Sequence, residues 1–196
     1  MIWFFVILII VVGLVAHFAF DAPKIKEQKS EQQQRETEYI TKNDITISAE
    51  YKYESENYTN DIDWSNSVYY RYIVDGKHKK IYIFGKIGER IEIPFSEIIG
   101  CEMLSDSQTV GGIKRAIVGG VLAGDTGALV GAMTAKPHIT SYKVVIYRSD
   151  IQYPTVEIIL IKTKTATKSK DYTSAVDFSQ KILASIKAIM YSNTAS

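Results

Sequence analysis

The chain has 196 residues, enough for one ordinary domain and an appendage, whereas two separate cores would each be marginal. Its 23 basic and 22 acidic side chains leave a net charge of +1, so no global field draws it to nucleic acid. Cys101 is the one cysteine, which excludes an internal disulfide and a Cys-based zinc site, while 13 tyrosines and many Ile and Val residues favour a sheet-rich body.

From Ile2 to Phe20 every residue is apolar except His17, with Trp3, Phe4, Phe5, Phe18 and Phe20 crowding the ends. A run of that length approaches the ~20 residues a helix needs to cross the bilayer, so residues 1–20 are expected to form a transmembrane helix. A cleaved signal peptide would want a positive start and small residues before the cut, and Ala16-His17-Phe18-Ala19-Phe20 is a poor match. Lys24, Lys26, Lys29 and Arg35 follow the run and no Lys or Arg precedes it. The positive-inside rule then expects a single-pass protein of the cell membrane with its C-terminal domain in the cytoplasm. Residues 21–44 are polar, with Pro23 and the run Glu31-Gln32-Gln33-Gln34-Arg35, and read as a stalk or linker, disordered or a solvated helix.

Strand signals then recur. Ile45 to Tyr53 alternates apolar and polar, Val68 to Val74 ends at the turn signal Asp75-Gly76, and Lys80 to Phe84 and Arg90 to Ile93 follow. Pro94 restricts the start of the run Ile98 to Leu104, and Tyr142 to Tyr147 and Val156 to Lys162 come after the glycine-rich region. Short strands joined by tight turns argue for an antiparallel meander. From Tyr172 to Met190 the period becomes helical, with Val176, Ser179, Leu183 and Ile186 on a stripe that Ala175, Phe178, Ile182 and Ile189 widen. Ser169 or Asp171 can cap this helix. The expected fold class is α+β: an antiparallel PH-like sheet or barrel with a C-terminal helix over 45–196.

Between Gly111 and Lys136 lie two apolar blocks of small residues, in which Gly120 and Gly124, and Gly127 and Gly131, stand four apart. Small residues at that spacing let helix backbones approach closely. A single crossing helix would place Asp125 at mid-bilayer, at about 2.5–3.5 kcal/mol, and would divide the sheet between two sides. A helical hairpin inserted at 111–136, turning at Gly124-Asp125 with Asp125 as the second N-cap, keeps the sheet whole. Its packing positions would be Gly119, Gly120, Gly124, Gly127 and Gly131. Whether it packs on its own domain, enters a membrane or self-associates is left open by periodicity.

Ile93-Pro94-Phe95-Ser96-Glu97-Ile98-Ile99, the run Gly111 to Gly120 and Tyr142-Lys143-Val144-Val145-Ile146 together resemble a widespread group of bacterial proteins. In that group a PH-like strand pair leads into a "GGLGRAxxGGxxFGGxGAIxGG" hairpin and the chain ends in a Tyr-bearing helix, here Asp171-Tyr172-Thr173-Ser174-Ala175. Some members add a C-terminal module of the SHOCT type, whose pattern is not recognisable in these residues. The likeness covers roughly Val68 to Tyr191. It departs where Asp125-Thr126 replaces glycine and an apolar residue, and where Ile113-Lys114 replaces Leu-Gly. The resemblance implies the fold and carries over no activity, cofactor or site residue.

Candidate chemistry is thin. Asp125-Thr126-Gly127 spells an aspartic-protease triplet, but its flanks are helix-like and a second carboxylate would have to come from a dimer. No Gly-Lys-Ser/Thr follows the glycines, the three histidines are far apart, and Asp61-Ile62-Asp63 lacks the glycine and closing Glu of a calcium loop. The expectation is therefore no enzyme, no cofactor, no metal, no nucleic acid and no small-molecule substrate. Two basic clusters remain, Lys77, Lys79 and Lys80 in a hairpin loop and Lys162 and Lys164 before the last helix, as possible membrane or partner contacts. The expected partners are a membrane, through the N-terminal helix, and a protein or a second copy of the chain. A membrane-active or self-assembling role for the glycine hairpin is the alternative.

Overall fold

The computed structural model describes residues 24–60, 66–114 and 137–194. Helix α1 covers 24–42 and leads into β1 (Ile47–Glu54), the short helix α2 (Glu56–Thr59), β2 (Tyr69–Asp75), β3 (Lys80–Gly85) and β4 (Arg90–Pro94). There follow β5 (Ile98–Ser105), β6 (Gln108–Lys114), β7 (His138–Ile139), β8 (Tyr142–Arg148), β9 (Thr155–Ile161), β10 (Thr165–Ala166) and α3 (Lys170–Thr194). Sheet 1 has the order β1-β2-β3-β4, sheet 2 the order β6-β5-β8-β9, and β7 pairs with β10. Every pairing is antiparallel. The meander and the PH-like α+β body with a C-terminal helix are as the sequence implies.

Alternation sets the two faces of each strand. Tyr72, Val74, Ile81, Ile83 and Ile93 of sheet 1 join Cys101, Met103, Val144, Ile146, Ile158 and Leu160 of sheet 2 in one core. Helix α3 covers that core with Ala175, Phe178, Ile182, Ile186 and Met190, all at most 1% exposed. Two serines of the same helix meet core tyrosines, Ser185 with Tyr72 at 2.9 Å and Ser179 with Tyr142 at 3.0 Å, so the buried hydroxyls keep partners. Ser169, not Asp171, supplies the cap, accepting from the Tyr172 amide at 3.2 Å. Asp171 instead accepts from the Glu56 amide at 2.7 Å and ties α2 to the helix start.

The expected fold class is corrected at two places. Among the described residues no helix is long and apolar enough to cross a membrane. The apolar run 1–20 lies outside the described residues, and α1, where a stalk was expected, lies on the outer face of sheet 1. There buried Gln32 donates to the Gly85 carbonyl at 3.4 Å and buried Glu36 accepts from the Tyr69 hydroxyl at 3.0 Å, while Tyr39 and Ile40 pack on a small cluster of Ile45, Ile73, Tyr82 and Phe84. The glycine insert is corrected at its start, because Gly111 and Gly112 belong to β6 and pair with Met103 and Glu102. The turn before β6 was not legible. Asp106 and Ser107 take it with φ 45° and 65°, a conformation usually signalled by glycine. Asp106 holds it by accepting from the Thr140 and Ser141 amides at 2.8 and 3.1 Å.

Residues 115–136 lie outside the described residues, and with them the expected hairpin and its packing glycines. The flanking strands fix where that connection starts and ends. Lys114 pairs with Gly100 and Tyr142 with Ser105, so β6 and β8 run parallel on either side of β5. The connection thus joins opposite ends of sheet 2, as a crossover between parallel strands must.

Candidate functional site

Antiparallel pairing places the two basic clusters at opposite ends of the β2–β3 hairpin. Lys77, Lys79 and Lys80 sit at its turn. Lys162 lines one cleft with Tyr70, which pairs with Gly85 at the open end, and Tyr70 to Asp75 spans about 17 Å of strand. The turn cluster is largely neutralised within the fold. Lys77 bonds Asp44 at 2.6 Å and Lys80 bonds Glu92 at 3.4 Å. His78 is held at 2.6 Å by Asp75, which is fully buried. Burial alone would raise the Asp75 carboxyl, but the His78 amide and ring and the Thr46 amide outweigh it and hold the group below the usual carboxylate range. Lys79 is exposed, with φ 56°, and its carbonyl accepts from the Phe95 amide at 2.8 Å. This end of the hairpin is a braced turn.

The open end is different. Sheet 1 and β9 do not form a continuous ladder at the seam between them; tyrosine hydroxyls bridge it instead. Tyr53 donates to the Leu160 carbonyl at 3.1 Å, and the Ile159 backbone hydrogen-bonds the Tyr70 hydroxyl. Where the seam opens there is a cleft of about 330 Å³, lined by Ser67, Val68, Tyr70, Lys86, Ile159 and Lys162 among others. The Lys86 ammonium donates to the Ser67 carbonyl at 3.1 Å and lies 3.3 Å from its hydroxyl, which fixes one cation in the wall. Lys162, in the exposed loop after β9, supplies the second. Glu89 borders the cleft and folds back over Gly85, where a Cβ would stand 2.6 Å from its carboxylate. Burial, the largest effect, pushes the Tyr70 hydroxyl pKa up, and nearby Glu89 adds to it. The cleft therefore joins two lysines, one carboxylate and an apolar wall from Val68 and Ile159.

Of the residues singled out from sequence, Lys162 lines this cleft, Lys164 lies two residues beyond in the same exposed loop, and Lys77, Lys79 and Lys80 are elsewhere. Ser67, Lys86 and Ile159 were missed. Each is a lone residue, Ser67 in a loop, Lys86 at the start of a single 3-10 turn and Ile159 in a strand, and only the pairing of β2 with β3 and the closure against β9 brings them together. Among the described residues no group of three or more His, Cys, Asp or Glu could hold a metal ion. Cys101 is fully buried in the core, and burial pushes its thiol pKa up, which keeps it protonated.

The model of the family described as "Glycine zipper containing PH domain" matches residues 52–162, from β1 through the cleft-lining end of β9 and including the glycine-rich connection. No curated protein and no solved structure matches the chain.

Proposed function

The chain belongs to the glycine zipper containing PH domain family, and we propose that it is a non-enzymatic binding module whose seam cleft takes a short acidic and apolar segment of a protein partner. The observation that carries this is the pairing of Lys86 and Lys162 with the apolar wall of Val68 and Ile159 in one cleft. Cations at a partly desolvated wall recognise a carboxylate, and the apolar wall gives an adjoining side chain somewhere to be buried. A membrane surface is the less favoured ligand. Recognition of anionic lipid uses clusters of about 4–8 Lys or Arg, whereas here the basic residues are split between two ends and Glu89 offsets part of the cleft's charge.

Isothermal titration with a synthetic Glu-Ile-Glu-Tyr peptide tests this reading. Binding should weaken about tenfold in Lys162→Glu and stay unchanged in Lys79→Glu. Equal losses in both variants, or binding to vesicles of phosphatidylcholine and phosphatidylglycerol but not to the peptide, would contradict it. A second role rests with Gly119, Gly120, Gly124, Gly127 and Gly131 as close-packing positions of the connection between β6 and β8. The four-residue spacings and the family match across this segment support it. Gly120→Leu and Gly131→Leu should then lower the melting temperature or change the sedimentation of the full chain, and no change in either would remove that role.

A further inference from the structure

The β8–β9 turn, Ser149 to Pro154, presents an unusual surface. Ile151 is 95% exposed and Tyr153 66% exposed, two large side chains held in solvent at the tip of a hairpin. A slack loop could fold such residues back, but this one is braced. Asp150 accepts from the Gln152 amide at 2.8 Å and the Tyr153 amide at 3.2 Å, and the Arg148 amide donates across the turn to the Pro154 carbonyl at 2.8 Å. The Arg148 guanidinium reaches Glu97 at 2.5 Å and Asp150 at 3.2 Å, and the Ser149 amide donates to the Glu97 carbonyl at 2.8 Å. Two carboxylates around one guanidinium leave the tip net negative. The turn is thus a preformed, convex, apolar and acidic knob, and holding it rigid in advance lowers the entropy lost on docking.

We infer that this knob inserts into the seam cleft of a second copy of the chain, making a head-to-tail contact. The inference rests on the cleft reading above and names its partner. Three observations support a second copy. The knob is acidic and the cleft net basic, so their charges are complementary. The knob offers one aliphatic and one aromatic side chain to a cleft walled by Val68, Tyr70 and Ile159. The two features stand at opposite ends of β9, from Thr155 to Ile161, about 20 Å of strand apart, so a knob cannot reach the cleft of its own chain. A knob at one end and its socket at the other generate a heterologous contact, which repeats along a row of copies. One hairpin tip covers far less than a standard interface, so the contact is weak and strengthens with concentration.

Sedimentation velocity of the full chain up to about 1 mM tests this. Ile151→Asp removes the knob and Ile159→Asp spoils the socket; both side chains are exposed enough (95% and 39%) for the fold to tolerate the change, which circular dichroism checks. Each variant alone should lose at least about tenfold in association relative to the unaltered chain. An equal mixture should regain a two-chain species and nothing longer, because each variant keeps the half that the other lacks. An Ile151→Asp chain that sediments like the unaltered one overturns the proposal. So does a mixture no more associated than its parts, or an Ile151→Asp variant whose sole defect is loss of binding to phosphatidylcholine–phosphatidylglycerol vesicles. If the Glu-Ile-Glu-Tyr peptide still binds at Lys162 while the chain shows no such association, the self-docking fails and the cleft reading stands.

Discussion

The two long helices each cover a sheet, and they do so with opposite chemistry. Helix α3 lays Phe178, Ile182, Ile186 and Met190 onto the shared core, with two serines spaced to meet tyrosine hydroxyls. Helix α1 covers the outer face of sheet 1 with Tyr39 and Ile40 on a small apolar cluster and, beside it, with a network of charges and hydrogen bonds. Glu36, 4% exposed, accepts from Tyr69 at 3.0 Å, from Gln32 at 2.9 Å and from Arg71 at 3.4 Å. Arg71 continues to Glu50 at 2.9 Å, the Arg90 guanidinium stacks 3.7 Å above the Tyr39 ring, and Tyr39 hydrogen-bonds Glu92. Burial, then the bonded Glu92 carboxylate, pushes the Tyr39 hydroxyl up to about 12, so it stays a donor at neutral pH. An apolar face gains free energy whatever its exact register, whereas a charged one holds only while each partner is in place. The α3 side should therefore be robust, and the α1 side specific and easily undone.

The largest expected effect breaks the α3 side. Phe178→Asp puts an unpaired carboxylate where Phe178 is 1% exposed and its ring lies tilted against Tyr53, 5.8 Å between centroids, and should cost about 5 kcal/mol or more in denaturant unfolding. Next comes the α1 side. Arg71→Ala strips the cation from buried Glu36 and should cost about 3 kcal/mol, while Glu36→Leu combined with Arg71→Leu should recover most of that loss. A double variant as unstable as the single one would mean that the charges do more than hold the helix in register.

A smaller effect comes with acid. The Asp75 carboxyl is held below its usual value in the folded chain, so its contribution is fully present above the unfolded carboxylate value of about 3.9. It is lost as pH falls through the lower folded value. A melting series from pH 6 down to about pH 2 should show that loss, and Asp75→Asn should flatten part of it. Lys181→Asp should do least. Lys181 pairs with Asp177 at 2.7 Å on the solvent side of α3, and its reversal should change stability by about 0.5 kcal/mol or less.

The same contrast explains what could be read from the residues alone. Strands such as Lys80 to Phe84 and the stripe of α3 announce themselves because burial of apolar side chains imposes a period. Helix α1 carries Gln32 and Glu36 at two of its three buried positions, and those residue types look like a solvated stalk in any window of sequence. Strand β6 is hidden in the sequence because Gly111 and Gly112 run on into the glycine-rich segment, and because Asp106-Ser107 makes its turn without a glycine. Lys162 stood out in a basic run. Its partners Ser67 and Lys86 did not, since register and not local composition joins them.

The most direct test of the cleft is to follow backbone amide resonances of the labelled chain while Glu-Ile-Glu-Tyr is added. The largest shifts should fall on Ser67, Tyr70, Lys86, Ile159 and Lys162, with Gly76 to Lys80 unmoved. Shifts centred on Lys77 to Lys80, with the cleft amides unchanged, would contradict a binding site at the seam.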